Sequence, residues 1–155
     1  MDNIIQELLT LLQNKYTTYY KKYVYGEFVL APRSYFPMIE VVPVSTEVVN
    51  RGTGGNTDNE FRVKIQVKDT LKNTFEKADS VRIDALYNMV QGIEPRTVNG
   101  DFASTGIMHL LKNNLQLSGK AEILDNFIIN YETLYNDEGY TIIGTIEFAC
   151  RKITL

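Results

Sequence analysis

The chain is short of the residues that most often carry chemistry. In 155 residues it has one cysteine, one histidine and no tryptophan. A single thiol cannot form an internal disulfide, which suits a reducing compartment such as the cytosol. Cys150 and His109 stand far apart in sequence, so no metal cluster is built from them without acidic ligands that the sequence does not place. No apolar run approaches membrane-spanning length. No block of Lys and Arg exists to displace counterions from nucleic acid, and the net charge is -3. Met1-Asp2-Asn3 is not the basic start of a signal peptide, so no cleaved leader is expected. Repeats, low-complexity tracts and linkers are also missing. A single domain over 1–155 is therefore expected, long enough to bury a core without staples. Within it, 1–25 reads as a helix with a Tyr-rich extension and 36–155 as a sheet-and-helix core.

An apolar fraction of 44% and a charged fraction of 23% are ordinary for a globular protein. The most ordered stretch is Glu60-Phe61-Arg62-Val63-Lys64-Ile65-Gln66-Val67-Lys68. Its strict alternation puts Phe61, Val63, Ile65 and Val67 on one face and every charge on the other. That predicts a strand buried on one side and wet on the other, as in an antiparallel sheet. Met38 to Val44 is also β-rich, and Pro37 and Pro43 bound it, which predicts a short or edge strand. The Gly- and Asn-rich residues 50–59 then form the tip of a hairpin joining the two strands.

Helical spacing appears twice more. Ile4, Ile5, Leu8, Leu9, Leu12 and Tyr16 make one stripe, with Asp2 or Asn3 as cap, and the stripe can be continued through Tyr19, Tyr20 and Tyr23. Gly26 is its natural stop. Phe75, Ala78, Ala85, Leu86, Met89, Val90 and Ile93 make a second stripe, capped by Asn73 or Thr74 and ended by Gly92, which should lie across the apolar face of the hairpin. Ile107 to Leu111 reads as a short third helix capped by Ser104 or Thr105. Ala121 to Tyr131 and Tyr140 to Ile153 are β-rich and flank a turn at Asn136-Asp137-Glu138-Gly139. In the last strand Ile142, Ile146, Phe148 and Cys150 share a face. The expected fold class is α+β, an antiparallel-dominated sheet of about four strands with helices packed on one face.

Candidate sites are sparse. Arg51-Gly52-Thr53-Gly54-Gly55 looks at first like a phosphate loop, but a strand follows it and no Gly-Lys-Ser/Thr is present, so it reads as a hairpin tip. His109, between Met108 and Leu110, reads as a packing or surface residue. Cys150, alternating with apolar neighbours, reads as a buried inert thiol. Two features point toward contacts. Five of the ten tyrosines lie between Tyr16 and Tyr25, and a tyrosine has an apolar body with a polar tip, which suits half-buried interfaces. From Lys120 to Glu147 there are six carboxylates and one lysine, a local acidic excess. Its members are Glu122, Asp125, Glu132, Asp137, Glu138 and Glu147.

Three passages resemble the tail terminator, or tail completion, proteins of bacteriophages. Phe36-Pro37-Met38-Ile39-Glu40-Val41-Val42-Pro43 is similar to their aromatic-Pro-x-aliphatic-x-Val-x-Pro start of a strand. Leu110 to Gly119 is similar to their step from a short helix through Asn and Leu-x-Gly into a strand, and Ile142 to Arg151 resembles their closing strand. Together these cover most of residues 36–152, in order more than in identity. The resemblance implies a structural virion protein and not an enzyme, without cofactor or metal. Such a protein forms a ring, hexameric in that family, at the head-proximal end of the tail tube, assembled in the host cytoplasm. Its implied partners are itself, the tail tube protein and the head connector or stopper, with DNA passing through unread and no membrane involved. Tyr19, Tyr20, Tyr23, Arg51, Gly54 and Asp58 are the expected interface residues. Glu122, Asp125, Glu132, Asp137 and Glu138 are the acidic candidates for a DNA-passing lumen. Ile93-Glu94-Pro95-Arg96 also resembles the Glu-Pro-Arg signature of a lysozyme-like baseplate wedge family, although there the motif enters a strand and here it heads into a Gly/Asp loop. Another neck component, a wedge protein, or a small cytosolic enzyme or ligand-binding domain are the alternatives.

Overall fold

The computed structural model describes residues 2–28, 31–50, 57–71, 77–90, 102–136 and 139–152. The first helix, α1, is Asp2–Tyr16. Its stripe is buried as the spacing requires: Ile4, Ile5, Leu8, Leu9, Leu12 and Tyr16 all enter the core. Asn3 lies inside the helix and so does not cap it. The helix ends where Thr17 turns to φ 48 and its N–H donates to the Gln13 carbonyl at 2.8 Å. The stripe therefore does not run on to Tyr23. Lys22–Tyr25 instead forms a strand, β1, as its Tyr and Val content allows.

The other described strands are β2 (Met38–Asn50), β3 (Thr57–Leu71), β4 (Ala121–Ile123), β5 (Ile128–Asn136) and β6 (Gly139–Lys152). The six-stranded sheet runs β1-β2-β3-β6-β4, with β5 also paired to β6. It is mixed, since β1 lies parallel to β2 and every other pair is antiparallel. It is larger than the expected four strands because β1 was hidden in the Tyr-rich segment and the 121–131 run divides in two. The division follows from register. Ile123 faces Cys150 and Ile128 faces Glu147, so residues 124–127 stand against only Phe148 and Ala149. The chain bends there at Asp125-Asn126, with Asn126 N–H donating to the Leu124 carbonyl at 2.8 Å.

One face of the sheet carries the core. Phe61, Val63, Ile65 and Val67 of β3 lie beside Cys150, Phe148, Ile146 and Gly144 of β6. The helices α1, α2 (Lys77–Val90) and α3 (Ile107–Lys112) supply the cover, through residues such as Leu8, Leu86 and Met108. Gly144 allows α2 to approach closely, since a Cβ there would lie 2.8 Å from Val90 Cγ2. Helix α3 starts at Gly106 without a side-chain cap, so neither Ser104 nor Thr105 caps it. The expected caps at Asn73, Thr74 and Gly92 lie outside the described residues.

The opposite face departs from the simple wet-side expectation. A parallel β1–β2 pair needs a crossover, and the described residues 26–28 and 31–37 belong to it, including a 3-10 turn at Arg33–Tyr35. This crossover buries part of the second face. Glu40 is 0% and Lys68 5% exposed, with Gln66 buried beside them. Lys68 Nζ lies 2.9 Å from Glu40 Oε2 and donates to the Phe28 carbonyl at 3.2 Å. Phe28 N–H donates to Glu40 Oε1 at 3.1 Å. Pro43 does not end β2 either. The strand shifts register between Pro43 and Ser45, and Val44 is exposed at this bulge. A proline is tolerated there because β1 pairs only as far as Val41, so no partner on that side needs its missing N–H.

Candidate functional site: an assembly surface

The tyrosine cluster is mostly internal. Tyr20 packs edge-to-face against Tyr16, Tyr19 and Tyr23, with ring centroids 5.6, 4.9 and 6.0 Å away. Tyr20 is only 3% exposed, and its hydroxyl meets no hydrogen-bond partner among the described residues. Burial and the neighbouring phenols push the Tyr20 hydroxyl well above the ordinary tyrosine range. Burial does the same to Tyr16, whose O–H donates to the Thr105 carbonyl at 3.0 Å. Tyr20 is thus a core residue and offers no interface, contrary to expectation, because edge-to-face packing consumes its ring. Tyr23 is half-buried and donates to the Thr17 carbonyl at 3.1 Å, while Tyr19 remains exposed. Arg51 and Gly54 lie outside the described residues. Asp58 belongs to the β3 backbone opposite Val49.

The acidic candidates do not gather into one cluster. Glu122 on β4 faces Arg151 in register, on the sheet face away from the helices. Glu132 on β5 lies opposite Ile143 on that same face, and both are exposed. Asp125 sits at the bend between β4 and β5 and pairs with Lys112 at 3.1 Å. Asp137 and Glu138 lie outside the described residues. Glu147 pairs with Arg62 at 3.0 Å and Glu60 with Arg151 at 2.9 Å. These cross-strand pairs balance much of the charge on this face. Alternation in the sequence shows such pairs only once the register is known.

The surface that stands out is the edge of the sheet. Strand β5 runs nine residues, Ile128 to Asn136, with β6 on one side and, among the described residues, no strand on the other. Ile128 and Leu134 are about half exposed and Tyr135 is 70% exposed. A long edge strand exposing several large apolar side chains is what single-copy proteins generally avoid. Beside it lies a cavity of about 260 Å³ between α2 and the β5–β6 pair, lined by Leu86, Tyr87, Tyr131 and Ile142 among others. Tyr87 and Tyr131 stack at 4.1 Å. A second projecting feature is the β2–β3 ribbon. Beyond the Glu60–Arg151 pair it has no partner in β6 among the described residues, and Val48 on it is exposed. The β2–β3 ribbon is the hairpin expected from sequence, whose tip carried the interface candidates Arg51, Gly54 and Asp58; the β5 edge was not singled out, although the scarcity of charge in Ile128 to Asn136 was its signal.

Cys150 is fully buried, and burial pushes its thiol up to about 12, as the inert reading requires. His109 sits half-buried on α3. Among the described residues no group of His, Cys, Asp and Glu is placed to hold a metal ion, and no helix is long and apolar enough to cross a membrane. No family model and no curated protein matches the chain. A solved structure titled as the virion of a native gene transfer agent particle is similar over 96% of this chain and 90% of that chain. Its identity is 10% and its TM-score 0.34. A likeness of that size assigns neither a fold family nor a function.

Proposed function

We propose that this chain is a structural virion protein of the tail terminator kind. Several copies form a ring on the head-proximal end of a tail tube, stop its growth and present a surface to the head connector. The observation that carries the reading is the uncovered β5 edge with its exposed Ile128, Leu134 and Tyr135. Support comes also from where the resembling passages fall. Phe36 to Pro43 leads into β2, Leu110 to Gly119 spans the end of α3 and the turn before β4, and Ile142 to Arg151 is the body of β6. In a ring, the sheet face away from the helices lines the passage. Its near balance of charge leaves DNA phosphates unheld.

Labelling the chain in assembled particles tests the reading. The label should sit between head and tail, and particles lacking the chain should carry tubes of unregulated length without heads. A label at the tail tip would move the protein to the baseplate, and absence from particles would end the reading. Glu122→Lys, on the face assigned to the lumen, should slow DNA ejection from otherwise normal particles. Unchanged ejection removes the lumen assignment.

A further inference from the structure

The outer strands of the sheet carry opposite charge. Residues 8–26, which contain β1, hold three lysines (Lys15, Lys21 and Lys22) and no Asp or Glu. Residues 121–150, which contain β4, β5 and all of β6 but Arg151 and Lys152, hold six carboxylates and no Lys or Arg, and two of the six, Asp125 and Glu147, are paired with Lys112 and Arg62. In the strand order β1 stands at one extreme and β4 and β5 at the other, and among the described residues no strand covers the outer edge of β1 or of β5. Lys22 is the one charge on β1, with Lys21 just before it, and both are exposed. Glu132 is the one charge on β5.

Glu132 is also the middle residue of β5, which starts at Ile128 and ends at Asn136. That position decides between two ways of pairing copies. A twofold contact of β5 with β5, in full antiparallel register, sets Glu132 opposite Glu132. Like charges placed directly across two strands repel. A head-to-tail contact instead sets the acidic edge against the basic one. Contacts of that kind do not close after two copies but continue around a ring.

We propose that the β5 edge of one copy adds to the β1 edge of a second copy, with Glu132 facing Lys22 on the sheet face away from the helices, so that one sheet continues from subunit to subunit. Main-chain hydrogen bonds supply the attraction and the opposite charges set the direction. Exposed Ile128, Leu134 and Tyr135 lose water on contact. This deepens the ring reading above by naming the surface through which the copies meet.

The test uses the purified full-length chain in analytical ultracentrifugation at low and high salt. Glu132→Lys should weaken association, and Lys22→Glu should do the same. From exposed cross-strand pairs the loss is roughly three- to thirtyfold in dissociation constant. The combined reversal should restore association, and all three effects should shrink at high salt. Melting temperatures should stay near that of the unaltered chain, since the changed side chains are exposed. Cross-linking keeps the proposal open to refutation whatever the charge variants do. Glu132→Cys mixed with Lys22→Cys should give disulfide-linked pairs of copies, with buried Cys150 silent. Efficient cross-linking of Glu132→Cys to itself, or no rescue by the combined reversal, overturns the edge contact. Rescue and 22–132 cross-links in a chain absent from the tail end would uphold the contact while ending the terminator reading. A ring at the tail end without 22–132 cross-links would do the reverse.

Discussion

Lys68→Met should be among the most damaging single changes outside the apolar core. Lys68 and Glu40 are buried together at 2.9 Å under the crossover, and both hold Phe28. Their gross attraction at an effective dielectric of 20 is about 6 kcal/mol, but taking two ions out of water offsets most of it. Removing only the ammonium leaves the carboxylate buried and unpaired, which costs about 3–5 kcal/mol. At roughly 2–4 °C per kcal/mol for a chain of this size, the melting temperature should fall by about 6–20 °C. Replacing both partners, Glu40→Leu with Lys68→Met, removes the stranded charge. The double variant should recover all but about 1–2 kcal/mol, the remainder reflecting the lost bonds to Phe28. Urea unfolding with a double-mutant cycle measures this, provided the slope m is unchanged. A single variant within about 1 kcal/mol of the parent would refute the reasoning, as would a double variant that loses the sum of the two single losses.

Three further outcomes follow from the packing. Gly144→Ala should cost about 1–3 kcal/mol, because the new methyl meets Val90 Cγ2 at 2.8 Å and Leu86 Cδ2 at 3.1 Å. Near-UV circular dichroism should weaken as the Tyr87–Tyr131 stack loosens. Leu8→Ala, at a fully buried position on α1, should cost about 2–5 kcal/mol by urea melt, and a loss below about 1 kcal/mol would mean α1 is not seated on the sheet. Alkaline stability should decline early. Cys150 and Tyr131 are both raised to about 12, from ordinary values of 9.0 and 10.0, and Tyr16 and Tyr20 are raised as well. The folded chain therefore keeps protons that the unfolded chain releases. The stability these groups contribute is whole below about pH 9 and drains away as pH rises toward 12. Flat stability from pH 8 to 11 in a thermal melt series would contradict their burial.

Much of the architecture was legible because it is periodic. The spacing of Ile4 to Tyr16 and the alternation of Phe61 to Val67 each require one buried face, and one face is what they have. The order of helix, hairpin, helix and closing strands followed from the same patterns. The candidate site was barely legible. Tyr20 looked like surface and proved to be core, because composition cannot tell which tyrosine the others surround. Glu147 looked like acidic surplus until register set Arg62 beside it.

Local pattern alone determined which residues turn away from water, since helices and strands repeat every 3.6 and 2 residues whatever they pack against. It also determined the six carboxylates of the last third and the lysines of the first. Only the tertiary structure decided that β1 lies parallel to β2, that its crossover buries Glu40 and Lys68, and that the basic and acidic segments end at opposite edges of one sheet. Strand order and register are contacts between residues far apart in the chain. Their free energy depends on closing those loops and on which faces then meet, and neither is written in any single stretch of residues.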